Sequence, residues 1–293
     1  MPELPEVETV RRGLAPTMAG ATIAGVRLAR PDLRFPFPSR FAERLVGARI
    51  DALDRRGKYL LAALSTGETL VMHLGMTGRF TIATSTPDRA LEASRPGEFH
   101  FATPGAPAHD HVAFDLSRDD AAATVVFNDP RRFGFMDLAP TNALDAATHF
   151  AGMGPEPLGP DFTAAWLDAR LAGRRTPIKA ALLDQRVVAG VGNIYACEAL
   201  FRAGVSPRRL ARSTTGARAE RLVASVRGVL LDAVAAGGSS LRDFAGADGA
   251  LGYFQHRFDV YDRTGAPCRR CGGPIARLVQ SGRSTFYCGR CQR

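Results

Sequence analysis

The stretch Cys268-Arg269-Arg270-Cys271, followed after sixteen residues by Cys288-Gly289-Arg290-Cys291, decides how the C-terminal part of this chain folds. Two Cys-x2-Cys pairs at this separation bring four thiolates around one tetrahedral Zn²⁺, and the residues between them close the site as a hairpin. Four of the five cysteines of the 293-residue chain lie here. With no secretory signal legible at the N-terminus, disulfides are the poorer account of them. Four thiolates leave no open coordination position, so the expected metal, a single Zn²⁺ on Cys268, Cys271, Cys288 and Cys291, is structural. The hairpin between the pairs presents Arg283 on a rigid loop. Cys197 stands apart and reads as a packed core thiol.

Outward from that module, the charge is uneven. The 39 residues from Gln255 onward hold eight arginines against two aspartates, and so most of the chain's net charge of +9. Such an excess points to an anionic partner, of which nucleic acid is the commonest. Of the 38 basic residues only Lys58 and Lys179 are lysines. Lysine is retained among arginines where a compact ammonium able to lose its proton is needed; two survivors of compositional drift would look the same. The 45% hydrophobic and 23% charged fractions are those of a soluble globular protein. No apolar run approaches the roughly 18 residues of a membrane span. The acidic start Met1-Pro2-Glu3-Leu4-Pro5-Glu6 carries no signal-peptide pattern, so a cytoplasmic protein without a membrane partner is expected.

The first part of the chain predicts one helix followed by many strands. Pro5 suits a first helical turn, and Val7, Val10 and Leu14 recur at helical spacing. Strand-like runs at 22–28, 49–53, 58–64, 68–74, 112–116 and 123–128 suggest a sandwich or barrel. Residues 81–110 show no clear period and read as a mobile surface insertion. From about Gly154 the pattern turns helical: Phe162, Trp166 and Leu167 fit one face, 193–203 a second helix, and 215–236 the longest, ended by Gly237-Gly238.

Several residues carry chemistry on their own terms. Once Met1 is removed, Pro2 starts the chain with a secondary amine of pKa near 8, able to attack an electrophilic carbon and form an iminium. Glu3 and Glu6 flank it with carboxylates that can move protons. Met76, set in Gly75-Met76-Thr77-Gly78, reads as a turn residue instead of core. Asn193 after Gly192 is either a helix N-cap or part of an anion site at a helix N-terminus. His109-Asp110-His111 lacks a further ligand spaced to complete a metal site.

The string Pro2-Glu3-Leu4-Pro5-Glu6-Val7-Glu8-Thr9, together with the zinc pattern, resembles the bacterial formamidopyrimidine-DNA glycosylase family, the 8-oxoguanine DNA glycosylase/AP lyases. Further collinear matches are Arg56-Gly57-Lys58-Tyr59-Leu60, Met72-His73-Leu74-Gly75-Met76-Thr77-Gly78, His109-Asp110-His111, Asp129-Pro130-Arg131-Arg132-Phe133-Gly134, Gly154-Pro155-Glu156-Pro157-Leu158, Gly190-Val191-Gly192-Asn193-Ile194-Tyr195-Ala196 and Thr285-Phe286-Tyr287-Cys288. The resemblance covers nearly the whole chain.

That resemblance implies an α+β fold. An N-terminal helix plus two-sheet β-sandwich would occupy 1–150, a helical helix–two-turn–helix domain 151–254, and a zinc-ribbon finger 255–293. It implies excision of oxidised purines from duplex DNA in base excision repair. Pro2 would attack C1′ of the damaged nucleotide, with Glu3 moving the sugar ring's proton, Lys58 assisting beside the lesion, and Arg283 gripping the flanking phosphates. Met76, Arg131 and Phe133 would fill the space left by the extruded nucleotide. His73, His109, Arg132, Arg175, Lys179 and Asn193 would contact phosphates, and 240–253 would form a loop over the flipped base. The expected protein is a monomer at the bacterial nucleoid, needing no organic cofactor. Two alternatives remain at this stage. One is an endonuclease VIII-like enzyme for oxidised pyrimidines, which Leu4 and the Arg131-Arg132-Phe133-Gly134 motif disfavour. The other is a non-catalytic zinc-finger DNA-binding protein, which leaves the Pro2-Glu3 start unexplained.

Overall fold

The computed structural model describes residues 1–86, 89–92, 106–119, 121–239 and 253–293. They form two compact units, one of Met1–Ala151 with Gly237–Tyr253, the other of Gly152–Ala236 with Phe254–Arg293. Among the described residues no helix is long and apolar enough to cross a membrane.

The first unit opens with helix α1 (Leu4–Met18). Glu3 caps it in a capping box: its side chain accepts from the third helical N–H, while its own N–H donates to Glu6 Oε2 at 2.8 Å. The buried stripe Val7, Val10, Leu14 and Met18 packs into the core, as the helical spacing predicts. Glu8 instead faces Arg11, Arg12 and Arg55. Burial raises its pKa, but hydrogen bonds from Arg11 and Arg12 and the charges of Arg11 and Arg55 outweigh that and hold it near 2.

Strands β1 (Thr22–Leu28), β2 (Ile50–Arg56), β3 (Tyr59–Leu64), β4 (Glu68–His73), β5 (Arg79–Thr86), β6 (Arg89–Glu92), β7 (Asp110–Arg118), β8 (Ala121–Asn128) and β9 (Phe135–Pro140) follow, with the short helix α2 (Phe41–Leu45) between β1 and β2. They make two antiparallel sheets, ordered β1-β7-β8-β5-β6 and β2-β3-β4-β9. Phe80, Phe114, Val125 and Phe127 of the first sheet and Leu60, Leu70, Met72 and Met136 of the second share one buried cluster with α1, so the sheets form a sandwich.

Residues 79–86 correct the sequence reading. The segment from Thr81 onward was expected to be loop, yet it begins as a strand paired with β8 from Arg79↔Asn128 to Ser85↔Ala122. Phe80 and Ile82 are buried while Thr81 is exposed, a period-two alternation too short to stand out beside the Pro- and Ser-rich stretch that follows. Most of the remaining expected insertion, 87–88 and 93–105, lies outside the described residues.

The second unit holds α3 (Ala164–Leu171), α4 (Ile178–Leu183), α5 (Asn193–Arg202), α6 (Ala217–Ala235) and the hairpin β10 (Ile275–Gln280)–β11 (Arg283–Cys288). Helix α6 buries Leu222, Val223, Val226, Val229 and Leu230 and ends at Gly237 and Gly238, both at positive φ. The finger shares its core with α5: Cys197 and Phe201 pack with Val260, Ile275, Phe286, Cys268 and Cys288. Glu198, fully buried on α5, accepts the N–H groups of Asp259, Val260 and Tyr261 at 2.8–3.0 Å. Its burial pushes the carboxyl pKa up, against the opposing pull of those three hydrogen bonds.

Candidate active site and zinc centre

Pro2 and Glu3 are buried at the start of α1. Glu6 completes the local scaffold: besides Glu3 N–H it accepts the N–H and hydroxyl of Ser239 at 2.8 and 2.9 Å through Oε1. A Cβ on Gly238 would press on Glu6 Oε1 at 3.1 Å. The second acidic residue of the N-terminal motif is therefore a structural tie between the start of α1 and the chain after α6, and Glu3 is the carboxylate adjoining Pro2. With Met1 attached, the Pro2 nitrogen is an amide and cannot attack.

Lys58 sits at the two-residue β2–β3 turn, where Gly57 adopts φ 57°. Although at a hairpin tip, it is only 7% exposed. His73 ends β4, flanked across the sheet by Tyr59 of β3 and Phe135 of β9. Its ring stacks on Phe135 at 5.2 Å and meets Tyr59 at 5.0 Å. Burial first, then the charges of Lys58, Arg34 and His149, pushes its pKa down to about 4. Gly75 N–H donates to His73 Nδ1 at 3.0 Å, so the neutral ring carries its proton on Nε2.

Two connections pass between the sheets side by side, β4 to β5 through Leu74–Gly78 and β8 to β9 through Asp129–Gly134. They touch backbone to backbone: a Cβ on Gly75, which adopts φ 65°, would lie 2.3 Å from Gly134 N. Asp129, fully buried, locks them together. Its Oδ1 accepts Thr77 Oγ1, its Oδ2 accepts Gly134 N–H at 2.8 Å, and its carbonyl meets His111 Nε2 at 3.0 Å. Held this way, Met76 and Phe133 stay 37% and 42% exposed, with the Arg131 guanidinium 4.7 Å over the Phe133 ring. Exposed apolar side chains on rigid loops among arginines suit insertion into a stack of flat, anionic-backed rings. Arg132 is exposed beside them at φ 55°. Met1, Arg34, His73, Met76, Arg131 and Phe133 line one open cavity of about 500 Å³, so the N-terminus and both loops meet at one place.

His109 is half-buried at the end of a short 3-10 turn, and its carbonyl accepts Asp129 N–H at 3.0 Å. Its neighbour His111 is the buried one.

In the second unit, Gln185 pins the turn before α5, accepting Gly190 N–H at 2.8 Å and donating to Val191 O at 3.0 Å. The N-cap of α5 is Gly192; Asn193 is the first helical residue, and its Nδ2 donates to Ser284 O at 3.0 Å while its Oδ1 is buried without a partner. Arg175 is exposed. Lys179, expected among the phosphate contacts, is placed differently. It is 1% exposed, and its Nζ donates to Ser284 O at 2.9 Å and to Thr285 Oγ1 at 2.6 Å. Arg283 is exposed at the start of β11, after a Ser281-Gly282 turn in which both residues have positive φ.

The four finger cysteines converge. Their sulfurs lie within 4.8 Å of one another, with Cys268–Cys291 at 3.9 Å and Cys271–Cys288 at 3.5 Å. Tetrahedral Zn–S bonds of about 2.3 Å require S–S edges near 3.8 Å, and Arg270 N–H already points at Cys268 Sγ at 3.4 Å. The donor set fits one structural zinc.

Sequence reasoning passed over three residues. Asp129 was visible inside a quoted motif but reads as a turn former before Pro130. Arg34 and His149 join the site only through tertiary packing: Arg34 N–H donates to Gly134 O at 3.1 Å, and His149, bonded to Asp137 at 2.8 Å, packs on Phe135 at 4.8 Å. The expected loop over a flipped base, 240–253, falls outside the described residues except for Tyr253.

Three family models match in order: the formamidopyrimidine-DNA glycosylase N-terminal domain over 1–136, its H2TH domain over 153–245, and the zinc finger found in FPG and IleRS over 265–293. The formamidopyrimidine-DNA glycosylase of Ruegeria pomeroyi is 58% identical, with all of both chains aligned; that of Rhizobium meliloti is 52% identical with the same coverage. Among solved structures, MutM (FPG) of Thermus thermophilus aligns with a TM-score of 0.82 at 42% identity, covering 99% of this chain and 98% of that one. A Lactococcus lactis FPG mutant in complex with Fapy-dG containing DNA aligns over all of both chains with a TM-score of 0.84 at 31% identity. Agreement along the whole chain, through the Pro2-Glu3 start, the paired loops and the four-cysteine finger, places this protein in the formamidopyrimidine-DNA glycosylase family.

Proposed function

We propose that this chain is a DNA glycosylase of base excision repair that excises oxidised purines from duplex DNA and then cuts the strand as a β,δ-lyase, with the processed N-terminal Pro2 as nucleophile. The observation that carries the reading is the single cavity shared by the N-terminus, His73 and the Met76 and Arg131–Phe133 loops. A covalent amine serves DNA only if the target nucleotide leaves the stack and something fills its place. Met1, whose removal frees the Pro2 amine, lines the same cavity as the loops proposed to fill that place. The solved relatives with Fapy-dG containing DNA and carbocyclic 8-oxo-G containing DNA support the same substrate class.

In this scheme Pro2 N bonds to C1′ as the glycosidic bond breaks, and the base departs with its electron pair and takes up a proton from solvent. The resulting ammonium N–H gives its proton to Glu3; the freed nitrogen lone pair then opens the C1′–O4′ bond, O4′ takes that proton back from Glu3, and an iminium remains. The iminium acidifies C2′–H; loss of that proton expels the 3′ phosphate, and loss of the C4′ proton expels the 5′ phosphate. Lys58, confined beside His73, moves protons at this centre and offsets phosphate charge. Arg131 bonds the base left opposite, while Arg132, Arg175, His109, Asn193 and Arg283 bind backbone phosphates. Zinc on Cys268, Cys271, Cys288 and Cys291 holds the finger in shape and takes no part in bond breaking.

Borohydride reduction during reaction with a duplex carrying 8-oxoguanine opposite cytosine tests this. Processed enzyme should yield a DNA adduct on the peptide beginning at Pro2, and enzyme retaining Met1 should yield none. Tight binding by processed enzyme without any adduct would leave only a zinc-finger DNA-binding protein.

A further inference from the structure

Both lysines of this arginine-rich chain are buried, Lys58 at 7% and Lys179 at 1% exposure. The Lys179 ammonium is turned to the finger hairpin: Nζ donates to Ser284 O at 2.9 Å and to Thr285 Oγ1 at 2.6 Å. The bonds continue in one direction. Thr285 Oγ1, fully buried, donates to Gln280 Oε1 at 3.1 Å, and Gln280 Nε2 donates to Pro207 O at 3.0 Å. Asn193 Nδ2 donates to the same Ser284 O from the start of α5 at 3.0 Å. Gln280 and Ser284 bracket the tight turn and Arg283, and Gln280 is the register partner of Arg283 across the hairpin. An exposed arginine is thus carried on a β-turn whose two flanks are tied to α4, to α5 and to Pro207.

We infer that Lys179 is a positioning residue for Arg283: from inside the second unit its ammonium sets the register and pitch of the hairpin tip, and so determines whether Arg283 reaches a phosphate. The inference rests on the proposed role of Arg283 at DNA. A compact ammonium with three freely aimed donors fits between a carbonyl and a hydroxyl in a closed space, whereas a planar guanidinium is longer and needs a fork of acceptors. That difference accounts for a lysine here when 36 other basic positions are arginine.

The test is the salt dependence of binding to an abasic-analogue duplex by full-length, zinc-loaded protein, for wild type, Arg283→Ala, Lys179→Met, Thr285→Val and the Lys179→Met/Arg283→Ala double variant. Each phosphate contact contributes about 0.9 to the slope of log K against log salt. Arg283→Ala should lower the slope by about 0.9. Lys179→Met should lower it by up to the same amount, and the double variant by no more than Arg283→Ala alone. Thr285→Val, which removes both the Lys179 acceptor and the donor to Gln280 while keeping the volume, should shift the slope in the same direction, so the idea survives if Lys179→Met does not fold. A double variant losing about 1.8 would show two independent phosphate contacts and overturn the inference, as would a Lys179→Met or Thr285→Val protein of wild-type slope beside an impaired Arg283→Ala. If Arg283→Ala itself keeps the full slope, the reading of Arg283 fails first and the inference falls with it.

Discussion

At His73 packing decides protonation. The ring lies between Phe135 and Tyr59, within range of the Lys58 and Arg34 charges, and accepts Gly75 N–H on Nδ1. The neutral ring therefore offers Nε2–H as a donor, the form in which it would meet the phosphate proposed for it. Its folded pKa of about 4 lies below the ordinary 6.5, so as pH falls the unfolded chain takes up a proton first. Stability from this residue is complete above about 6.5 and is lost progressively between about 6.5 and about 4. Melting temperatures across that window should fall more steeply for wild type than for His73→Gln, which cannot titrate; parallel curves would show that the ring is not held neutral. The sequence placed His73 near a strand end, in a motif whose family resemblance implies a phosphate contact. It was silent on the charge, because Phe135 and His149 reach the ring only through the pairing of β4 with β9 and the packing that follows. Pro2 and Glu3 could be singled out for the opposite reason: a secondary amine beside a carboxylate is a local pattern, although the capping box that Glu3 forms with Glu6 was not read from it.

At the scale of elements, the crossing of two loops builds the exposed surface of Met76, Arg131 and Phe133 proposed to insert into DNA. Leu74–Gly78 and Asp129–Gly134 leave opposite sheets, from β4 and from β8, and the missing side chain of Gly75 lets them touch at Phe133 and Gly134. The Asp129 carboxylate serves both, through Thr77 on one and Gly134 on the other. Asp129→Ala would strand the Thr77 hydroxyl and the Gly134 N–H in a dry interior, at a cost of about 2–5 kcal/mol for two unpaired buried donors. The urea midpoint should drop accordingly, and affinity for lesion duplex should fall although Met76, Arg131 and Phe133 are untouched. A loss under about 1 kcal/mol with unchanged affinity would mean the loops hold their shape without it. Turn chemistry made Met76 readable as a turn residue. The mutual contact was not readable, since no local pattern says which two turns of a sandwich will touch. Strand β5 was lost to the sequence reading for a related reason. Its inward Phe80 and Ile82 gain meaning only from the β8 strand beside them.

At the scale of the whole molecule, the finger is not an appendage. Its cysteines Cys268 and Cys288 share a core with Cys197 and Phe201 of α5, and Glu198 of the same helix holds the approach to the finger by three backbone N–H groups. The cysteine spacing announced the metal, but only the folded chain shows that the metal module and the helices close around common side chains. The first unit, in contrast, owns a separate apolar core formed by α1 and both sheets. Zinc removal should therefore act on one part of the protein. Structural zinc contributes on the order of 10–16 kcal/mol to such a module, more than most domains hold in reserve, so the metal-free finger should unfold and loosen α5 with it. Calorimetry of chelated protein, or of Cys268→Ser, should show two transitions where the zinc-loaded protein's second unit melted intact: an upper one at the position of the sandwich, and a lower one that zinc restores. DNA affinity should vanish with the lower transition, since the phosphate contacts proposed for Arg283 and Asn193 depend on it. One transition at an unshifted temperature, with affinity preserved after verified metal loss, would show that the shared core stands without zinc and that the four thiolates serve some end other than folding.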